Sequence, residues 1–205
     1  MVEFIKSWKF MAIIVAVLTV VVVVMLVYGI TTHTEPGLMT ETPGFSAQDT
    51  PIGVCTVLYT PDGPGSEEDL DNAITLTRDA VHTINQRIGV DVYEYLDAGT
   101  PGPCRVRVSV GNPSERGWRD GGGDAVFHAG DRECMVTTTN TGTNELLSLV
   151  IQHELGHCLG LDHDDFAMSI MFGGPGNALS PTPAGQFPPR ITDSDRALLR
   201  EFYLP

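Results

Sequence analysis

The 205-residue chain predicts an α+β domain of about 150 residues preceded by one transmembrane helix. Three observations lead there. Residues 11–30 are an uninterrupted apolar run without a charge. Residues 31–53 are rich in Thr, Pro and Gly and show no apolar period. Beyond them, short β-branched or alternating runs are interspersed with stripes of helical period.

The elements follow in order. Residues 1–10 carry Lys6 and Lys9 and form a cytoplasmic N-terminus. The run from Met11 to Ile30 is then a membrane anchor, since about 20 residues at 1.5 Å rise cross a hydrocarbon layer of about 30 Å. A cleaved signal peptide is the rival reading, and cleavage would make the protein secreted. Its apolar region is usually only about 7–15 residues long and ends at small residues. Here the run ends in Tyr28, Gly29 and Ile30. No Lys or Arg follows until Arg78, so the positive-inside rule exports everything after residue 30. Residues 31–53 read as a flexible tether. Residues 54–205 hold the domain. VCTVLYT from Val54 is a strand. Ser66, followed by Glu67, Glu68 and Asp69, reads as the cap of a helix whose stripe is Leu70, Ile74, Val81 and Ile84 and which stops at Gly89. VDVYEYL, CRVRVSV, DAVFHAG and CMVTTTN are four further strands, with a loop at 111–124. Asn144 is placed to cap a helix running to about Leu161. A long loop occupies 173–190, and Thr192 with Asp195 opens a last helix.

Apolar residues make up 42% of the chain, which suffices for a core even after the membrane run is set aside. The net charge of −14 repels phosphate backbones and argues against nucleic-acid binding. Cys55, Cys104, Cys134 and Cys158 all fall on the exported side, where disulfides persist. Three pairings are possible, and spacing does not choose among them.

The chemistry is carried by HELGHCLGLDH, residues 153–163, which matches H-E-x-x-H-x-x-G-x-x-H. Chance produces such a match on the order of once in 10⁴ chains of this length. His153 and His157 are four residues apart and project from one helix face. Gly160 allows the chain to leave the helix and double back. His163 can then supply a third imidazole, and three neutral imidazoles bind one Zn²⁺ with a position left for water. Glu154 stands at the edge of that face as the candidate general base and acid. Leu147, Ile151, Leu155 and Cys158 share another face of the same helix, at about 100° per residue, and form its core side. Cys158 is therefore buried or disulfide-bonded rather than a ligand.

The motif resembles the metzincin peptidase signature, and Met171, eight residues after His163, resembles the methionine of that clan's Met-turn. GGDAVFHA at 122–129 is similar to the GGxLAHA strand of the matrixins, and ITDSDRALLREFY to their final helix. This resemblance spans roughly residues 54–203. It implies a short twisted mixed sheet, an active-site helix and a C-terminal helix, with Met171 beneath the zinc ligands. It also implies an extended substrate along the 124–129 strand and a 173–190 loop walling the pocket beyond the scissile bond. There are departures. Asp164 stands where matrixins usually have Ser, Gly173 where astacins have Tyr, and no PRCGxPD latency segment occurs. Cys55 as a blocking thiolate is a lesser alternative to a disulfide. His128 matches a ligand of the matrixins' second zinc, but its partner ligands are not evident. Asp162, Asp164 and Asp165 are a possible Ca²⁺ cluster, though a solvated acidic loop is the preferred reading.

These observations lead to a monomeric, membrane-anchored, extracytoplasmic zinc endopeptidase acting on proteins or peptides. Two rivals are a zinc hydrolase of a cell-wall amide and a non-catalytic zinc module for adhesion or assembly.

Overall fold

The computed structural model describes residues 45–58, 67–111, 123–128, 130–139, 143–164, 169–172 and 190–204, together with Thr19. The rest of the apolar run at 11–30 lies outside the described residues. So do the Ser66 cap, Asp165, Met168 and most of the 173–190 loop. Among the described residues no helix is long and apolar enough to cross a membrane. The chain divides into two units, Met1–Thr34 and Glu35–Pro205, and the second contains everything below.

Five strands make one mixed sheet in the order β2-β1-β3-β5-β4. They are β1 (Ile52–Leu58), β2 (Tyr93–Tyr95), β3 (Val106–Gly111), β4 (Gly123–His128) and β5 (Glu133–Thr139). β2, β1, β3 and β5 are parallel neighbours, whereas β4 runs antiparallel to β5 and forms an edge. The two-residue side-chain period explains the register. Val54, Val106, Cys134 and Phe127 form one row across the sheet. Val108, Val136 and Ala125 form the next. These rows face the helices, and the valines in them are fully buried.

Three helices cover that face: α1 (Glu67–Ile88), α2 (Asn144–Cys158) and α3 (Asp193–Tyr203). α1 packs on β1 and β2, α2 on β4 and β5, α1 and α2 on each other, and α3 on α1. The buried stripe of α1 is Ala73, Leu76, Ala80, Ile84 and Ile88. Of the expected stripe Val81 and Ile84 are buried, whereas Leu70 and Ile74 are half-buried at its margin. Ala73 and Ala80 let the helix backbone approach the sheet, a reason that hydrophobicity does not signal. Burying Ile84 or Ile88 contributes about 1.5–3 kcal/mol each. Gly89, at φ +79°, ends α1, and Arg200 of α3 donates to the Ile88 carbonyl there at 3.0 Å.

Three expectations are corrected here. The domain begins before residue 54. Ile52 opens β1, and Phe45 is fully buried with its ring edge-on to Phe127 of β4 at 5.2 Å. Residues 45–53 of the supposed tether are thus part of the fold. A 3-10 turn at Ala47–Asp49 is closed by a Ser46–Asp49 capping box, and Asp49 pairs with Arg132 in the β4–β5 turn. Thr143, not Asn144, caps α2, accepting from Leu146 N–H at 3.3 Å. Asn144 instead exchanges two amide hydrogen bonds with Asn72 of α1, at 3.0 and 3.1 Å. α2 ends at Cys158 rather than Leu161 because the chain turns at Gly160. The preferred reading of the cysteines holds: Cys55 is bonded to Cys104, which leaves no free thiolate there for zinc blockade, and Cys134 is bonded to Cys158.

Candidate metal centre

α2 carries the first two histidines. Its core side is Leu147, Ile151, Leu155 and Cys158, all buried, and Cys158 is fixed to β5 through Cys134. Two tyrosine hydroxyls hold the C-terminal turns of the helix. Tyr93 of β2 donates to the Leu155 carbonyl at 2.7 Å, and Tyr203 of α3 donates to that of Leu159 at 3.1 Å. Both phenols are buried, and burial raises their pKa values, so they stay protonated donors.

The exit from α2 is a Schellman turn. Gly160 adopts φ +91°; its N–H meets the His157 carbonyl at 2.9 Å, and Leu161 N–H meets that of Gly156 at 3.1 Å. This places the Leu161 carbonyl 2.8 Å from His157 Nδ1. It also returns the chain so that His163 comes beside the helix.

The three histidines converge. The Nε2 separations are 3.1 Å for His153–His157, 3.2 Å for His157–His163 and 3.3 Å for His153–His163. Nitrogens about 2.0–2.1 Å from a shared tetrahedral Zn²⁺ stand about 3.3–3.4 Å apart, so the donor set fits that ion. The protonation pattern agrees. His153 Nδ1 lies 2.6 Å from the Ile170 carbonyl, and a carbonyl only accepts, so Nδ1 of both His153 and His157 carries the proton. Their Nε2 lone pairs then face one another and His163 Nε2, a donor set that could hold a metal ion. Burial, then neighbouring His157, lowers the His153 pKa to about 4, and burial lowers that of His157. Both are therefore neutral, as metal ligands must be.

Met171 is fully buried, and its Sδ fills the space where a Cβ on Gly156 would stand, 2.5 Å from that position. The turn holding it is tied at both ends. The Met171 carbonyl accepts from Asp164 N–H at 2.8 Å, and Met171 N–H donates to Ser169 Oγ at 3.0 Å. Ser169 Oγ in turn donates to buried Asp195 of the α3 capping box at 3.5 Å. The same turn supplies the Ile170 carbonyl that orients His153.

Glu154 is 4% exposed and lies against the edge strand, in contact with the Cβ position of Gly123. Burial, reinforced by Asp124, raises its pKa to about 8. A carboxyl in this state takes up a proton readily.

A matrixin family model matches residues 47–203. The chain belongs to the matrixin family. Matrixins are a family of zinc metallopeptidases. No curated protein gives a significant match. Among solved structures it is similar to metalloproteinase-II from Bacteroides fragilis, with 19% identity and a TM-score of 0.41 over 85% of this chain and 60% of that one.

In this matrixin the three histidines are, among the described residues, the one group spaced to hold a metal. His128, whose match to a second-zinc ligand had no evident partners in the sequence, is exposed at the end of β4 and is not in that group. Asp162 accepts the His163 N–H at 2.7 Å, and Asp164 is buried beside the Met-turn; neither enters a metal group. Gly123, Gly156, Tyr93 and Tyr203 escaped the sequence reading. Gly156 did leave a signal, because a mid-helix glycine costs about 1 kcal/mol and calls for a packing reason.

Proposed function

We propose that the protein is a membrane-anchored, extracytoplasmic endopeptidase in which His153, His157 and His163 hold one Zn²⁺. The convergence of three Nε2 atoms beside a buried Glu154 carries this reading. When bound, the ion supplies Lewis acidity, polarising the scissile carbonyl and bringing the pKa of water to about 7. Glu154 accepts a proton from the attacking water at its carboxylate and delivers it to the nitrogen of the departing amine. Met171 and the Ile170 carbonyl hold His153 in place, and the Leu161 carbonyl holds His157. β4 lies at the sheet edge with Gly123 against Glu154, so an extended peptide adding to that edge brings its backbone to the base. Anchoring rests on the uncharged run at 11–30 and on Lys6 and Lys9 before it. Two disulfides support an oxidising compartment.

The test uses the full chain, because Phe45 and Asp49 belong to the domain. Bound zinc is quantified, then a mixed peptide library is digested with and without chelator and by Glu154→Ala. One zinc per chain, with cleavage lost in both controls, is expected. Zinc without cleavage of any peptide moves the substrate to a cell-wall amide. A folded chain without zinc refutes the reading.

A further inference from the structure

The alternation of β4 sends its side chains to opposite faces. Gly123 touches Glu154 and Val150, and Phe127 stacks on Phe45, so 123, 125 and 127 point under the sheet towards the helices. Asp124, Val126 and His128 point to the other face, where Val126 is 44% exposed and His128 is exposed. Asp124 is the acidic residue of this strand, one residue along from the contact with Glu154. Its neighbour across the ladder on β5 is the neutral Thr137. Among the described residues no cation pairs with it; the four ion pairs there lie at Arg78, Arg107, Arg132 and Arg196. Its charge reaches the centre, acting on both Glu154 and His157. Among the described residues β4 has no strand neighbour on its far side.

We propose that Asp124 is a specificity-determining residue that selects substrates with a Lys or Arg at the position lying opposite it along β4. The proposal rests on the peptidase reading above and on edge addition of the substrate to β4. In an added antiparallel strand the side chain opposite Asp124 lies on the same face, with Cβ atoms about 4.5–5.5 Å apart. A cation there meets a carboxylate that no described cation pairs with, and an acidic residue meets a like charge. Cross-strand charge pairs of this kind alter the free energy enough to change kcat/KM about two- to five-fold. The effect weakens with salt, because the outer face of an edge strand is open to screening.

The experiment digests a proteome-derived peptide library with full-length, zinc-loaded wild type, Asp124→Asn and Asp124→Lys. Residues around each cleaved bond are read by mass spectrometry, and rates are normalised to each enzyme's cleavage of an uncharged reference peptide. The wild type is expected to enrich Lys and Arg about two- to five-fold at one fixed position, falling as salt rises. Asp124→Asn loses the enrichment, and Asp124→Lys turns it towards Asp and Glu at the same position. Wild-type cleavage indifferent to charge overturns the proposal and leaves the peptidase reading standing. So does a basic preference that persists in Asp124→Asn. Wild type that binds zinc and cleaves no peptide overturns both. The wild-type profile and its salt dependence decide the matter even where a variant does not fold.

Discussion

Gly156→Ala sets two opposing effects against each other. In a helix interior alanine is favoured over glycine by about 0.8–1.0 kcal/mol, so propensity alone predicts stabilisation. The new Cβ, however, stands 2.5 Å from Met171 Sδ and 3.3 Å from its Cε. Ordinary contact is about 3.5–4.0 Å, so the sulfur must withdraw by about 1 Å. Met171 is fully buried and its turn is tied to Asp164 and Ser169, so there is little room to yield. Over-packing of this kind costs about 1–3 kcal/mol, and the variant is expected to be less stable by up to about 2 kcal/mol. The larger effect falls on the metal. The neighbouring Ile170 carbonyl orients His153, and disturbing such a partner typically weakens metal affinity about 10–100-fold. Zinc competition titration and thermal melts of the chelated protein measure the two effects separately. In a Met171→Ala background the obstacle is gone, and Gly156→Ala is expected to stabilise by about 0.8–1.0 kcal/mol. A single variant that melts higher than wild type and keeps full zinc affinity would refute the packing account.

Four further outcomes are expected. Glu154→Gln keeps one zinc per chain while kcat/KM falls about 10²–10⁴-fold, as metal analysis and peptide hydrolysis will show. Gly123→Ala puts a Cβ into Glu154 and 2.7 Å from Val150 Cγ1, so kcat/KM falls at least about 10-fold at unchanged zinc content; unaltered kinetics would rule out the contact. Tyr93→Phe removes the 2.7 Å bond to the Leu155 carbonyl and costs about 1–2 kcal/mol in denaturant melts. The pH dependence of the chelated protein isolates Glu154. The folded pKa of about 8 exceeds the ordinary 4.5, so between these values the folded state holds the proton longer than the unfolded state. Glu154 therefore erodes stability as pH rises through that window. Chelated Glu154→Gln should gain on wild type from about pH 5 to pH 8, and a constant difference would exclude the burial effect.

The ligand set was legible because it is local. His153, Glu154 and His157 occupy successive turns of one helix, and Gly160 is the residue type that a Schellman turn needs. The strands were legible because β-branched residues alternate, and Cys158 because it falls on the same helical face as Ile151 and Leu155. What escaped depends on partners distant in sequence. The disulfide pairing follows from tertiary placement, with Cys104 just ahead of β3 beside β1, and Cys158 on the helix that packs against β5. Phe45 reads as part of a Pro- and Gly-rich stretch until Phe127 is set beside it. Thr143 and Asn144 are both good capping residues, and the reciprocal amide pair with Asn72 decides which one caps. Gly123 is one of three consecutive glycines, and nothing nearby in sequence singles out the one that meets Glu154.

The bond between Cys134 and Cys158 has a consequence in time as well as in space. Cys158 is the residue next to His157, so the cross-link that ties the zinc helix to β5 is also a record of where the chain has been. In a reducing compartment that tie is absent, and the helix bearing His153 and His157 is held by packing, the Asn72–Asn144 pair and the two tyrosine hydroxyls. Oxidation of the pair completes the restraint on the helix that carries His153 and His157. If the chain is exported as proposed above, a nascent chain gains that restraint only in an oxidising compartment.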